Sequence, residues 1–195
     1  DVSFGEKDEV VLGKPKATLG LPSEITDDIG KTFNATISLD QWDNTAGYKL
    51  IDLVMNVPEG LSVTGVTAGN RLGGASVNYT LDNGKLRVVY FDANNHSDLT
   101  VSGNSFPAQL FTITFRVDSA NAGNNLDISI GGMSIKLNSD STDDGSMIVV
   151  DTAKANGSVS VVKGISYSAV CLYIGDDIDL IPSSKKAVAV SVTGV

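Results

Sequence analysis

The chain has one cysteine and one histidine, which restricts the nucleophilic and metal chemistry open to it. Cys171 sits in the apolar run AVCLYI and His96 in the polar loop ANNHSD, two unrelated contexts. An activated thiol or serine needs a base beside it, and a zinc site needs a cluster of nitrogen or sulfur ligands. Neither requirement is met. A lone thiol among apolar neighbours reads as an inert buried side chain, and it has no partner for an internal disulfide. Among the 23 acidic residues, Asp140, Asp143 and Asp144 in NSDSTDDGS invite a calcium reading. They lack the D-x-[DN]-x-[DN]-G spacing with a distant Glu, so a solvated loop is the better reading. Phosphate-binding and dinucleotide glycine motifs are missing from the sequence as well. No catalytic residue, no metal site and no cofactor is therefore expected.

The remaining chemistry is that of surfaces. Arg87, Val89 and Phe91 alternate in the run KLRVVYFD, and an arginine beside outward apolar and aromatic residues is the composition of a protein interface. Their placement depends on the strands around them. Asp82-Asn83-Gly84 separates two alternating runs, and Asn-Gly accepts the positive φ angles of a tight hairpin, so Val77 to Leu81 and Leu86 to Phe91 should pair antiparallel. Leu86, Val88 and Tyr90 would then face the core, with Val77, Tyr79 and Leu81 beside them, leaving Ser76, Asn78 and Thr80 outside. In the preceding strand Ile51, Leu53, Met55 and Val57 share one face. Tyr48, Leu50, Asp52, Val54 and Asn56 share the other, and its apolar members imply cover by another segment or by a partner.

A length of 195 residues with 42% apolar residues supports one domain with a sizeable core. Charged residues make up only 19%, while Gly, Ser, Thr, Asn and Val are plentiful, as in strand-and-turn proteins. The net charge of −9, with scattered Lys and Arg, argues against nucleic acid. No apolar run approaches the roughly 20 residues of a membrane span. The chain opens at Asp1 and stops at Val195, which reads as an excised or processed segment.

Further strands are expected at 16–21, at 32–39 with Phe33, Ala35, Ile37 and Leu39 on one face, at 110–117, at 126–130 and 133–137 about a Gly-Gly break that suggests a bulge or a bend, and at 157–162. Trp42, in the polar loop QWDNTAG, either caps a sandwich or stacks on a sugar. The tail from Gly164 reads as two or three more strands, either a small annex with the N-terminal pieces or a cover over one face.

In order and spacing these segments resemble cohesin modules, the bacterial cellulosome domains that capture dockerins. The resemblance rests on LSVTGVTAG (61–69) after Pro58, DNGKLRVVYFD (82–92), LFTITFRV (110–117) and NGSVSVV (156–162), and covers about residues 16 to 163. It implies an all-β fold, a flattened nine-stranded β-sandwich with jelly-roll topology. Here extra strands would come from an N-terminal extension (1–15) and a C-terminal one (164–195), within a single cohesin-like domain.

The resemblance also implies a dockerin-binding face on the third, fifth, sixth and eighth strands, at 48–57, 76–81, 85–91 and about 126–137. The candidate contact residues are Leu50, Asp52, Val54, Ser76, Asn78, Thr80, Arg87, Val89 and Phe91. Calcium is expected on the dockerin rather than on this chain, which alone is expected to be a monomer, extracellular or attached to a bacterial cell surface. Two departures stand out. Asn56-Val57-Pro58 replaces the usual Tyr-Asp-Pro, and Asp52 falls where an inward aromatic is common, so a one-residue shift could exchange the faces of that strand. A carbohydrate-binding module and a structural adhesin domain are the alternative readings.

Overall fold

The computed structural model describes residues 14–40, 48–69, 72, 76–92, 107–120, 122–137 and 147–164. Cys171, His96, Trp42, the acidic loop 138–146 and both extensions beyond 13 and 164 lie outside the described residues, together with the strands expected in them.

Eleven strands occur among the described residues, without a helix. They are β1 (Lys16–Gly20), β2 (Glu24–Thr26), β3 (Thr32–Asp40), β4 (Tyr48–Asn56), β5 (Leu61–Ala68) and β6 (Ser76–Asp82). After the hairpin come β7 (Lys85–Phe91), β8 (Ala108–Val117), β9 (Asn125–Leu137), β10 (Ile148–Val149) and β11 (Asn156–Val162). Nine have five residues or more, matching the nine-stranded expectation; β2 and β10 are short additions of three and two residues. The strands form a four-stranded sheet, β1-β3-β8-β5, and a larger one ordered β2-β11-β9-β4-β7-β6, with β10 beside β9. Most connections cross from one sheet to the other, as in a jelly roll. The hairpin β6–β7 stays in one sheet.

Alternation decides what is buried. Ala35, Ile37 and Leu39 of β3 and Phe111, Ile113 and Phe115 of β8 line the inner face of the four-stranded sheet. Ile51, Leu53 and Met55 of β4 and Leu86, Val88 and Tyr90 of β7 meet them from the other sheet. The rings of Phe33 and Phe115 pack at 5.4 Å between centroids, and a single apolar core runs between the layers.

Besides a bulge at Thr64 in β5, three bulges, in which one extra residue on one strand reverses the sides that follow, set which residues are buried. In β9 the Gly-Gly break, expected as a bulge or a bend, is a bulge: Val54 opposes Gly132 and Met55 opposes Ile130, so Gly131 is the extra residue. Leu126, Ile128 and Ile130 are buried before it, Met133 and Ile135 after it, and the buried parity switches across the glycines. In β8 Ile37 opposes Phe111 and Ser38 opposes Gln109, which leaves Leu110 extra and lets Leu110 and Phe111 both be buried. The third bulge corrects an expectation. Between Tyr48 and Leu50 the register with β9 shifts, and Tyr48 is buried in the core instead of sharing the outer face of Asp52. Beyond that point β4 keeps the expected faces, with Ile51, Leu53 and Met55 inside and no exchange at Asp52.

Candidate protein-docking face

The strands implied for a docking face are neighbours in one sheet, in the order β9-β4-β7-β6. The hairpin joining β6 and β7 has the expected turn. Asn83 and Gly84 take φ of 48° and 71°, both positive, and Asp82 opposes Lys85. From there the register sets the outer face as rows. Asp82, Lys85, Asn56 and Ser129 form one row; Thr80, Arg87, Val54 and Gly132 the next; then Asn78, Val89, Asp52 and Ser134; then Ser76, Phe91, Leu50 and Lys136. All nine sequence-predicted residues fall in the last three rows.

Phe91 is 49% exposed and stands opposite Leu50 on one side, with Val89 two residues along its own strand. Leu50, Val54 and Val89 are half-buried. Leu50, Phe91 and Val89 thus make a continuous apolar strip, and Val54 lies past Asp52 along β4.

The charged residues are already engaged with one another. The Arg87 guanidinium grips Asp52 with two parallel bonds, Nε donating to Oδ1 at 2.9 Å and a terminal nitrogen to Oδ2 at 2.7 Å. Such a fork holds both side chains flat across the β4–β7 boundary. The hydrogen bonds to Asp52, and then its charge, raise the Arg87 pKa above the ordinary arginine range. One row away the Lys85 ammonium donates to Asn56 Oδ1, and Asn56 Nδ2 donates to Ser129 Oγ at 2.8 Å. Asn78 and Thr80 stand exposed and make no side-chain hydrogen bond to another described residue. A shallow depression on this face is lined by Asn78, Tyr79, Thr80, Arg87 and Val89.

Sequence reasoning placed the strand at about 126–137 on this face but named none of its residues. Ser134 and Lys136 lie beside Asp52 and Leu50. The Gly-Gly break carried the signal, since a one-residue bulge turns the even-numbered residues after it outward. On β6 the inward assignment needs amendment. Tyr79 and Leu81 lie on the core side, opposite Val88 and Leu86, yet are 39% and 36% exposed, because β6 is the outermost described strand of its sheet, with β5 of the other sheet packed against it. Among the described residues no cluster of three or more His, Cys, Asp or Glu is placed to hold a metal. No described helix is long and apolar enough to cross a membrane.

A flat face with an apolar strip, an internally neutralised ion pair and exposed amide and hydroxyl groups is suited to a protein partner rather than to an enclosed small molecule. Solved structures agree in fold. The chain is similar to the cohesin module of a family 33 glycoside hydrolase from Clostridium perfringens, at 11% identity and TM-score 0.58, over 77% of this chain and 98% of that one. A non-cellulosomal cohesin from the archaeon Archaeoglobus fulgidus matches at 21% identity and TM-score 0.53, over 77% and 92%. A type I cohesin–dockerin complex from Clostridium thermocellum, Coh-OlpA-Doc918, matches at 15% identity and TM-score 0.54, over 76% and 99%. No protein-family model and no curated protein matches the sequence. The fold is that of a cohesin module, an all-β sandwich.

Proposed function

We propose that this chain is a non-catalytic module that captures a dockerin-bearing enzyme or scaffold protein outside the cell, in an assembly that degrades plant polysaccharide. The observation that carries this reading is the coincidence of two things. The sandwich is that of cohesins, including ones solved in complex with dockerins. The apolar strip of Leu50, Val89 and Phe91 lies outward on the sheet β9-β4-β7-β6. Binding would bury that strip, with Asn78 and Thr80 donating and accepting at its side and the Arg87–Asp52 pair forming a polar border. Calcium belongs to the partner, whose helices need it to fold.

Calorimetric titration against a panel of dockerins tests this. Phe91→Asp or Val89→Asp is expected to weaken binding by at least about 2 kcal/mol while the circular dichroism of the module stays unchanged. Full affinity in both variants would move the docking surface elsewhere. No heat with any dockerin would remove the reading itself.

A further inference from the structure

We propose that the outer edge of β6, beside which no other described strand lies, pairs antiparallel with the same edge of a second copy of this chain, in place of the monomer expected from the sequence. Among the described residues, and apart from the two-residue β10 beside β9, the two sheets end in four outer strands, β1, β5, β2 and β6. Three are blunted in the ways that commonly protect sheet edges. β5 is broken by a bulge at Thr64. β2 has three residues, follows Pro22 and carries Glu24. β1 is bridged to Asp151, whose carbonyl accepts from the Ala17 amide and whose amide donates to the Pro15 carbonyl. By contrast, β6 runs seven residues in unbroken register with β7, contains no Pro, Gly or Lys, and has no other described strand beside it. Its exposed apolar side chains, Tyr79 and Leu81, lie at that edge.

The hairpin turn fixes which backbone groups face outward. In a tight turn from Asp82 to Lys85 the Asp82 carbonyl accepts from the Lys85 amide, so Asp82 and Lys85 are a hydrogen-bonded pair. Bonded and non-bonded pairs alternate along an antiparallel ladder, so Thr80 and Asn78 also bond to β7. The amides and carbonyls of Val77, Tyr79 and Leu81 therefore point away from β7, toward the open edge.

The sequence of the strand is self-complementary about its centre. A two-fold axis at Tyr79 sets Tyr79 against Tyr79, Val77 against Leu81 and Asn78 against Thr80 of the second copy. The three odd-numbered residues that present free backbone groups then meet in hydrogen-bonded pairs. The apolar pairs fall on the sandwich side and the polar pairs on the outer side. Because the axis is perpendicular to the sheet, both outer faces point the same way, and the two candidate docking faces become one continuous surface. A seven-residue contact falls below the area of a permanent dimer, so the association is concentration-dependent.

Sedimentation equilibrium of the full chain over a wide concentration range tests this. Expected is a rise in weight-average mass toward twofold, lost in Tyr79→Lys, where like charges would stand directly opposite each other. A mass that stays monomeric at every concentration, or a twofold rise that persists in folded Tyr79→Lys, would overturn the proposal. Should that variant not fold, hydrogen exchange of the unaltered chain decides. The amides of Val77, Tyr79 and Leu81 are expected to exchange roughly tenfold more slowly at high concentration, and concentration-independent exchange would refute the pairing. A strand from a different protein seated on this edge would also count against it, and would appear as a hetero-complex without self-association.

Discussion

Arg87 and Asp52 are exposed enough that their ion pair adds little to folding, despite its forked geometry. Asp52→Ala is expected to lower unfolding free energy in urea by less than about 1 kcal/mol. On the proposed function, its larger effect is expected on dockerin affinity, because it frees an arginine at the border of the apolar strip. A double-mutant cycle of Asp52→Ala and Phe91→Ala measured by dockerin titration should therefore show coupling, as neighbouring interface residues do. The raised pKa of Arg87 means that its own contribution to the pair is lost as pH rises through a value above the ordinary arginine range. Raising pH within the working range does not open it. The outward placement of Arg87, Val89 and Phe91 was readable from alternation next to a recognisable turn. The engagement of Arg87 with Asp52 was not, because it depends on which residue of β4 lies diagonally across the boundary.

At the scale of elements, turns and bulges set the face. Gly60 has φ 90°, and a Cβ there would lie 2.0 Å from the Ser119 carbonyl oxygen. Its carbonyl accepts from the amides of Asp118 and Ser119, so the glycine holds the end of β8 against the start of β5. Gly60→Ala is expected to destabilise by about 2 kcal/mol or more, because neither the φ angle nor the backbone contact can relax cheaply. Gly84→Ala should cost nearer 1 kcal/mol, its Cβ meeting only the Val57 carbonyl oxygen at 3.0 Å. Thermal unfolding of both variants checks the order. The hairpin was legible because Asn83-Gly84 has one common use between alternating strands. The Gly-Gly bulge was legible as a break, but its effect on Ser134 and Lys136 requires the register with β4. The inward turn of Tyr48 and the double burial of Leu110 and Phe111 carry no local marker, since a bulge without glycine looks like ordinary sequence.

One core joins the two sheets, and Leu53 of β4 and Ile113 of β8 belong to it from opposite sheets, both fully buried. Ile113→Ala is expected to destabilise by about 2 to 5 kcal/mol, read from the urea midpoint. Excess chelator should abolish dockerin binding while leaving the unfolding curve of this chain alone unchanged, since the calcium is assigned to the partner.

The order of strands across the docking sheet has a kinetic side. β9 lies between β4 and β11, although it follows β4 in the chain by the whole of β5 to β8. Pairings that close such long loops form late and slowly. A chain emerging from the ribosome can close the β6–β7 hairpin early, but it cannot assemble the sheet until residues past Leu137 are available. Assembly of this sheet thus waits until β9 and β11 have been synthesised. A fragment ending before Asn125 should neither unfold cooperatively nor retain a partner on an affinity column.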